Sequence, residues 1–444
     1  MKKPGLGRAD RDARPVDRAI ESLLAKQPHD ALAWAAAMLK AQPKNGAAWL
    51  VCAAAAAELG QGELAREWLG HAISAATRAG QLPLAVAACR ELEKHGGQSD
   101  EHVERIVRVF SKGSSHLVPQ RPAPPDLGDG AAEFQRLTAS GNALVEQARE
   151  TATFAQELLD DSDLAAMKVL PQPMFSTLEA AELRAMVGIL NIVLVGRDQQ
   201  VIREGEVGAE AFFVARGELE VRRGQGGSQA RLARVGAGAL IGEMALLSRA
   251  PRAAAVIACR PSILLRADKP ELERIVDEQP AIGARFAEYC RRRMVENLVR
   301  TSELLRAIKV EERPQLVKCF ETKTFETGER LIAQGAESDG LHLLASGAVD
   351  VVHREEKEKT LLAHLGPGEV VGEVALVLRR PSNADVVASH PTVTLHLPRE
   401  RFLELVRTHP TLLARLYELA VRRDEETSSI VAQEATQIDD SVLV

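Results

Sequence analysis

The run from Ile241 to Val256, IGEMALLSRAPRAAAV, has the residue types and spacing to hold a phosphate and a sugar. Gly242 lets backbone approach a ligand closely. The helix-forming stretch that opens with Glu243, Met244 and Ala245 presents the free N–H groups of a first turn to an anion. Glu243 offers two acceptor oxygens suited to sugar hydroxyls. Arg252 follows Pro251, which stiffens its turn, and a guanidinium grips a phosphate through two parallel hydrogen bonds. The small residues Ala253, Ala254 and Ala255 leave room beside it. Together they make a cradle for one phosphate and one ribose. The plainer alternative is that Glu243 and Arg252 only pair with each other, although a buried ion pair gains little over apolar replacements.

The elements that must position this cradle occur twice. Gly205, Gly217, Gly242, Pro251 and Pro280 recur at Gly335, Gly347, Gly372, Pro381 and Pro410, each 130 residues further on. Beyond Asn191 the pattern is of short β segments, with Leu219 and Val221 alternating with Glu218, Glu220 and Arg222, and glycines between runs. A helical tract, Pro270 to Ile308, closes the first copy. Two β domains of one design, each followed by helices, are the economical reading. The second cradle keeps Gly372, Glu373, Val374 and Ala375, but Ser382 stands at the arginine position, Asn383 follows it, and Asp385 replaces Ala255. A lost cation and a gained carboxylate both disfavour an anion, so the second site is expected to be weak or structural.

The pattern of Gly-Glu, a small-apolar run and Pro-Arg-Ala-Ala resembles the phosphate-binding cassette of the cyclic nucleotide-binding domain family. That family includes the catabolite activator protein and the regulatory subunits of cAMP-dependent protein kinase. The preceding REGEVGAEAFFVARGELEVRR, with Glu204 and Gly205, is similar to the family's barrel strands. Asp198 stands where the family usually has Gly, a substitution that left-handed turn geometry tolerates. The resemblance implies eight-stranded jelly rolls with a hinged C-terminal helix, Glu243 on the ribose 2′-hydroxyl and Arg252 on the cyclic phosphate. It also implies a preference for cAMP over cGMP, because Ala253 stands where cGMP-selective members commonly carry Thr. Tyr289 is the candidate base cap, against a core-packing role.

The remaining chain reads as a set of flanking parts. Residues 1–15 are expected to be disordered. Residues 16–110 are Ala-, Leu-, Glu- and Arg-rich with helical periodicity and breaks at QPHD, QPKNG, LGQG and AGQLP. Ala31, Ala35, Met38 and Pro43 recur 34 residues later as Ala65, Leu69, Ala72 and Thr77, a spacing that resembles tetratricopeptide repeats. Cys52 and Ala53 depart from that family's Leu and Gly, so a plain helical bundle stays open. A Pro/Gly linker follows at 111–132 and connecting helices at 133–168. The two β domains are placed at 169–298 and 299–428, the second with a degenerate cassette, and an acidic tail at 429–444.

Composition narrows the function. The 444 residues carry 56 Lys plus Arg against 62 Asp plus Glu, a net charge of −6 that argues against coating nucleic acid or anionic membrane. Five scattered cysteines with no CxxC pair disfavour disulfides or structural zinc and suit a cytoplasmic protein. The longest apolar run, Ala47 to Ala57, is too short to span a membrane. No HExxH, GxSxG or GxxxxGK motif marks an enzyme. Six histidines of the second copy, His342, His353, His364, His390, His396 and His409, read as scattered surface residues. The acidic C-terminus disfavours helix-turn-helix docking.

The fold class expected is therefore multidomain α plus β: an N-terminal helical, tetratricopeptide-like region, then two β jelly-roll cyclic nucleotide-binding domains with flanking helices. The function expected is a non-catalytic cAMP receptor without cofactor. It would couple occupancy of the first barrel to an unknown protein effector through the N-terminal helices, and homo-oligomerisation is compatible with it. The alternatives are a protein kinase regulatory subunit, for which no Arg-Arg-x-small pseudosubstrate is found, or a ligand-independent scaffold.

Overall fold

Alternation of small and large apolar residues at helical spacing builds the N-terminal part. In the computed structural model, which describes residues 15–119, 135–159, 167–224, 230–243, 251–301, 319–355 and 358–442, α1 spans Pro15–Leu24. Its buried face is Val16, Ala19, Ile20 and Leu23, the i, i+3, i+4, i+7 stripe of an amphipathic helix. Helices α2 (Pro28–Ala41), α3 (Gly46–Glu58), α4 (Gly62–Arg78), α5 (Leu82–Lys94) and α6 (Asp100–Phe110) follow, separated at the breaks read from sequence. Asn45 caps α3, its Oδ1 accepting from Ala48 N–H at 3.1 Å. The alanines of α3 permit close approach to α4: a Cβ on Gly46 would lie 3.1 Å from that of Ala76. Trp49 and Trp68 are fully buried among these helices. Helices α2 and α4 begin 34 residues apart, matching the repeat spacing. Helix α7 (Gly141–Glu157) lies against α2. The expected disordered terminus falls almost wholly outside the described residues, as does most of the linker; Leu117 forms a bridge to Val169.

After α8 (Ala180–Gly188), the first β domain has strands β1 (Asn191–Val195), β2 (Gln200–Ile202), β3 (Glu210–Arg216), β4 (Glu218–Arg223), β5 (Ala230–Gly236), β6 (Leu240–Ile241), β7 (Ala255–Ala258) and β8 (Ser262–Asp268). They form two antiparallel four-stranded sheets, ordered β1-β8-β3-β6 and β2-β7-β4-β5. Their core includes Val195, Ile202, Phe212, Val214, Leu219, Ile241, Val256 and Leu264. Helices α9 (Lys269–Glu278) and α10 (Pro280–Thr301) follow.

The second domain repeats the plan with β9 (Glu321–Phe325), β10 (Arg330–Ile332), β11 (Gly340–Ser346), β12 (Val349–Glu355), β13 (Glu358–Leu365), β14 (Val370–Val371), β15 (Asp385–Ala388) and β16 (Thr392–Pro398). Its sheet orders, β9-β16-β11-β14 and β10-β15-β12-β13, are those of the first domain strand for strand. Helices α11 (Glu373–Leu378), α12 (Arg399–Thr408) and α13 (Pro410–Val442) complete it. The segment expected to be an acidic tail continues α13 as far as Val442.

The chain clusters into two compact units. One comprises residues 1–203, 210–243 and 254–286; the other comprises 204–209, 244–253 and 287–444. Within the first, α1 and α5 pack on strands of the first sheet. Asp17, 3% exposed, is gripped there by Arg216 and Arg260, each at 2.7 Å. Among the described residues, no helix is long and apolar enough to cross a membrane.

Candidate cyclic nucleotide site

The second cassette shows how the local sequence builds a cradle. Strand β14 ends at Val371, and Gly372, whose φ of +89° only glycine adopts without strain, turns the chain at once into α11. Gly372 also lies under backbone: a Cβ there would sit 2.7 Å from the carbonyl oxygen of Gly340. Glu373, 2% exposed, is thereby buried at the start of α11. A cavity of about 360 Å³ opens here, lined by Gly372, Glu373, Val374, Ala375, Ser382 and Asn383 together with Arg422 and Arg423 of α13. Arg423 donates from Nη1 to Glu373 Oε1 and to the Val370 carbonyl, both at 2.6 Å. Asn383 donates to Asp424 at 3.3 Å, and Arg380 pairs with the same carboxylate. The last helix is thus fastened to the cassette at several points.

One expectation for this cassette needs correcting, and one residue is added to it. Asp385 does not line the cavity; it is 2% exposed, ion-paired with Arg330 and Arg354, and accepts from the Gln334 backbone N–H at 2.9 Å. Its charge is neutralised, so repulsion of an anion by Asp385 drops out of the argument. Arg423 was not singled out from the sequence. Its signal was present: the doublet Arg422–Arg423 repeats Arg292–Arg293 at the 130-residue offset.

In the first cassette Gly242 takes the same left-handed conformation, φ +73°, and Glu243 is 7% exposed. Met244 and Ala245 lie outside the described residues. Arg252 is 8% exposed. Its backbone is zipped to the loop before β3: the Gly205 N–H donates to the Arg252 carbonyl and the Arg252 N–H to the Glu206 carbonyl, both at 2.9 Å. Ala253 and Ala254 lead from it into β7. The same frame recurs in the second domain, Gly335 N–H to the Ser382 carbonyl at 2.8 Å and Ser382 N–H to Ala336 at 2.9 Å.

Inside that shared frame the side chains differ. A Cβ on Gly208 would lie 2.3 Å from Arg252 Nη2, so the guanidinium fills the space a side chain at 208 would take. The counterpart of Gly208 is Ser338, buried, with its Oγ donating to the Gly340 carbonyl at 2.9 Å. Ser382 Oγ donates to the Ala384 carbonyl, also at 2.9 Å. The Gly–Arg pair of the first cassette has become a Ser–Ser pair in the second. Tyr289 is 6% exposed, with the Arg292 guanidinium 5.5 Å from its ring centroid. Asp198 occupies the left-handed region at φ +60°, where its counterpart Gly328 has +84°.

Comparison with known proteins follows the same lines. The cyclic nucleotide-binding domain family matches residues 193–279 and 322–409. The chain is 26% identical over 321 residues to the cAMP-dependent protein kinase type II regulatory subunit of Drosophila melanogaster, covering 67% of this chain and 81% of that protein. It is 28% identical over 243 residues to a cAMP-dependent protein kinase regulatory subunit of Colletotrichum orbiculare, covering 52% of this chain and 60% of that protein. Among solved structures, the regulatory domain of Toxoplasma gondii PKA with cAMP aligns with 56% of this chain and 92% of its own. The identity is 24% and the TM-score 0.29. The chain therefore carries two tandem cyclic nucleotide-binding domains, similar to those of the regulatory subunits of cAMP-dependent protein kinase.

Proposed function

We propose that the protein is a cytoplasmic, non-catalytic cAMP receptor acting as a regulatory subunit, with the first cassette as its strong site. The observation that carries this reading is the buried Arg252, locked by two backbone hydrogen bonds into a loop that makes room for its guanidinium. A pre-positioned guanidinium loses little freedom on taking a cyclic phosphate. Glu243 would accept from the ribose 2′-hydroxyl, the N–H groups from Glu243 onward would face the phosphate, and Ala253 favours cAMP over cGMP. Each pair of sheets is read as the two faces of a jelly roll. The alignment with the Drosophila subunit, at 321 residues, is longer than the two matched domains, which favours a regulatory subunit over a free-standing receptor. The partner would be a protein reached through the N-terminal helices, read as tetratricopeptide-like.

The second cassette is proposed as weak, because Ser382 brings no charge to the phosphate position. Ligand in the first site would be reported through α10, with Tyr289 as candidate base cap; Arg285 now fastens the start of that helix to the Thr177 carbonyl at 2.7 Å and to Glu182 at 3.0 Å. Leu304, Leu305 and Ile308, which lead in sequence from α10 into the second β domain and would pass such a motion on, lie outside the described residues. Titration calorimetry of the full chain tests the assignment. One strong equivalent of cAMP, bound more tightly than cGMP, is expected. Two equal sites, or tighter cGMP binding, would contradict it.

A further inference from the structure

The histidines expected on the surface of the second domain include two that are buried against each other. His342 on β11 and His396 on β16 are direct partners in the antiparallel register, 1% and 3% exposed, with ring centroids 4.4 Å apart. Asp339, in the turn before β11, brings its carboxylate to 3.6 Å from His342 Nε2 and 3.4 Å from His396 Nε2. Neither Nε2 has a hydrogen-bond partner. Buried ring nitrogens left in this way are costly unless something else satisfies them.

The repeat shows that the fold does not require this cluster. In the first domain the equivalent pair, in the same register, is Phe212 and Arg266, and Ala209 stands at the position of Asp339. The second domain has acquired three convergent donors where its twin has none.

From this geometry we propose that Asp339, His342 and His396 form a binding site for a divalent transition-metal ion such as zinc. Donors on a tetrahedral ion at ~2.0–2.2 Å stand about 3.3–3.5 Å apart. His342 Nε2 and His396 Nε2 each lie near that distance from a different oxygen of Asp339, and one donor atom from each of the three residues falls within 4.8 Å of the others, so a small inward adjustment brings them onto one ion. His342 Nδ1 lies 3.1 Å from Thr394 Oγ1. Donation of its N–H to that hydroxyl leaves the lone pair on Nε2, the outer-shell arrangement that metal-bound histidines use. Gly340 keeps the approach open, since a Cβ there would lie 2.7 Å from His396 Nε2. Glu321 on β9 is the register partner of His396 and puts another carboxylate in the same cross-strand row. Lys323 donates to Asp339 at 3.1 Å and must release that oxygen when metal binds. The site adjoins the second cassette: Ser338 Oγ, beside Asp339, donates to the Gly340 carbonyl at 2.9 Å and approaches that of Gly372 at 3.4 Å. Metal occupancy would therefore brace the turn that carries Gly372.

The test is a cobalt(II) titration of the chelator-treated full chain, followed by visible absorption and competed with zinc. One equivalent with the intense bands of tetrahedral coordination is expected. Asp339→Ala, at a partly exposed turn, and His396→Asn should each weaken uptake at least tenfold. His364→Gln, an exposed histidine paired with Asp350, should leave it unchanged. If His396→Asn does not fold, Asp339→Ala decides alone. Absence of tetrahedral bands, or bands that survive Asp339→Ala, would overturn the proposal.

Discussion

At the scale of single residues, the two cassettes form a natural experiment in one chain. Replacing Arg252 by Ala should cost about 2–5 kcal/mol of cAMP affinity, because a bidentate charged contact is lost and the phosphate is left unpaired. Lys at 252 should recover only part of it, since an ammonium lacks the planar fork. Calorimetry on both variants checks the order. The Gly208–Ser338 contrast makes a sharper forecast for the second site. Ser382→Arg alone should gain little, because Ser338 occupies the room that Gly208 leaves for the guanidinium, whereas Ser338→Gly with Ser382→Arg should add a second equivalent of cAMP. Equal behaviour of the single and double variants would show that the space at 338 is not what limits the site. The candidate cradle was legible in the sequence because its residues are contiguous and their chemistry is exposed by type. The His342–His396 pair was not: its members lie 54 residues apart, and only strand pairing joins them.

At the scale of elements, helices and breaks were readable from periodicity, and strands from glycines repeated at a constant offset. Which strands pair was not readable, because register depends on contacts distant in sequence. The docking of α1 on the first sheet was equally hidden, since its key residue, Asp17, looks like an ordinary first-turn acid. It is in fact the shared partner of two largely buried arginines, whose side chains are 14% and 16% exposed. Asp17→Ala should therefore destabilise the first unit by about 3–5 kcal/mol, the cost of leaving partly buried charges unpaired. A thermal or urea unfolding curve measures this, and an unchanged midpoint would reduce the contact to surface decoration. In the second domain, Arg423→Ala removes the partner of a buried Glu373 and frees α13 from the cassette. Faster amide exchange along Pro410–Ile430 is the expected result.

At the scale of the whole molecule, one β design has been used twice and the copies have diverged at positions proposed to meet a ligand. The first has Arg252, proposed for a cyclic phosphate; the second keeps the backbone frame, has Ser382 in its place and holds a buried histidine pair. Helices α1 and α5 pack on β1, and α5 also on β3 and β8, within one unit, so a shift of those strands has a physical route to these helices. A ligand can shift such an equilibrium only by its differential affinity for the two arrangements. Hydrogen exchange of the full chain with and without cAMP, run in parallel on Arg252→Ala, tests this account most directly. Slower exchange is predicted around Gly242 and Arg252 and along Pro280–Thr301, and its loss in the variant. Exchange unaltered by cAMP, or altered equally in both proteins, would contradict it.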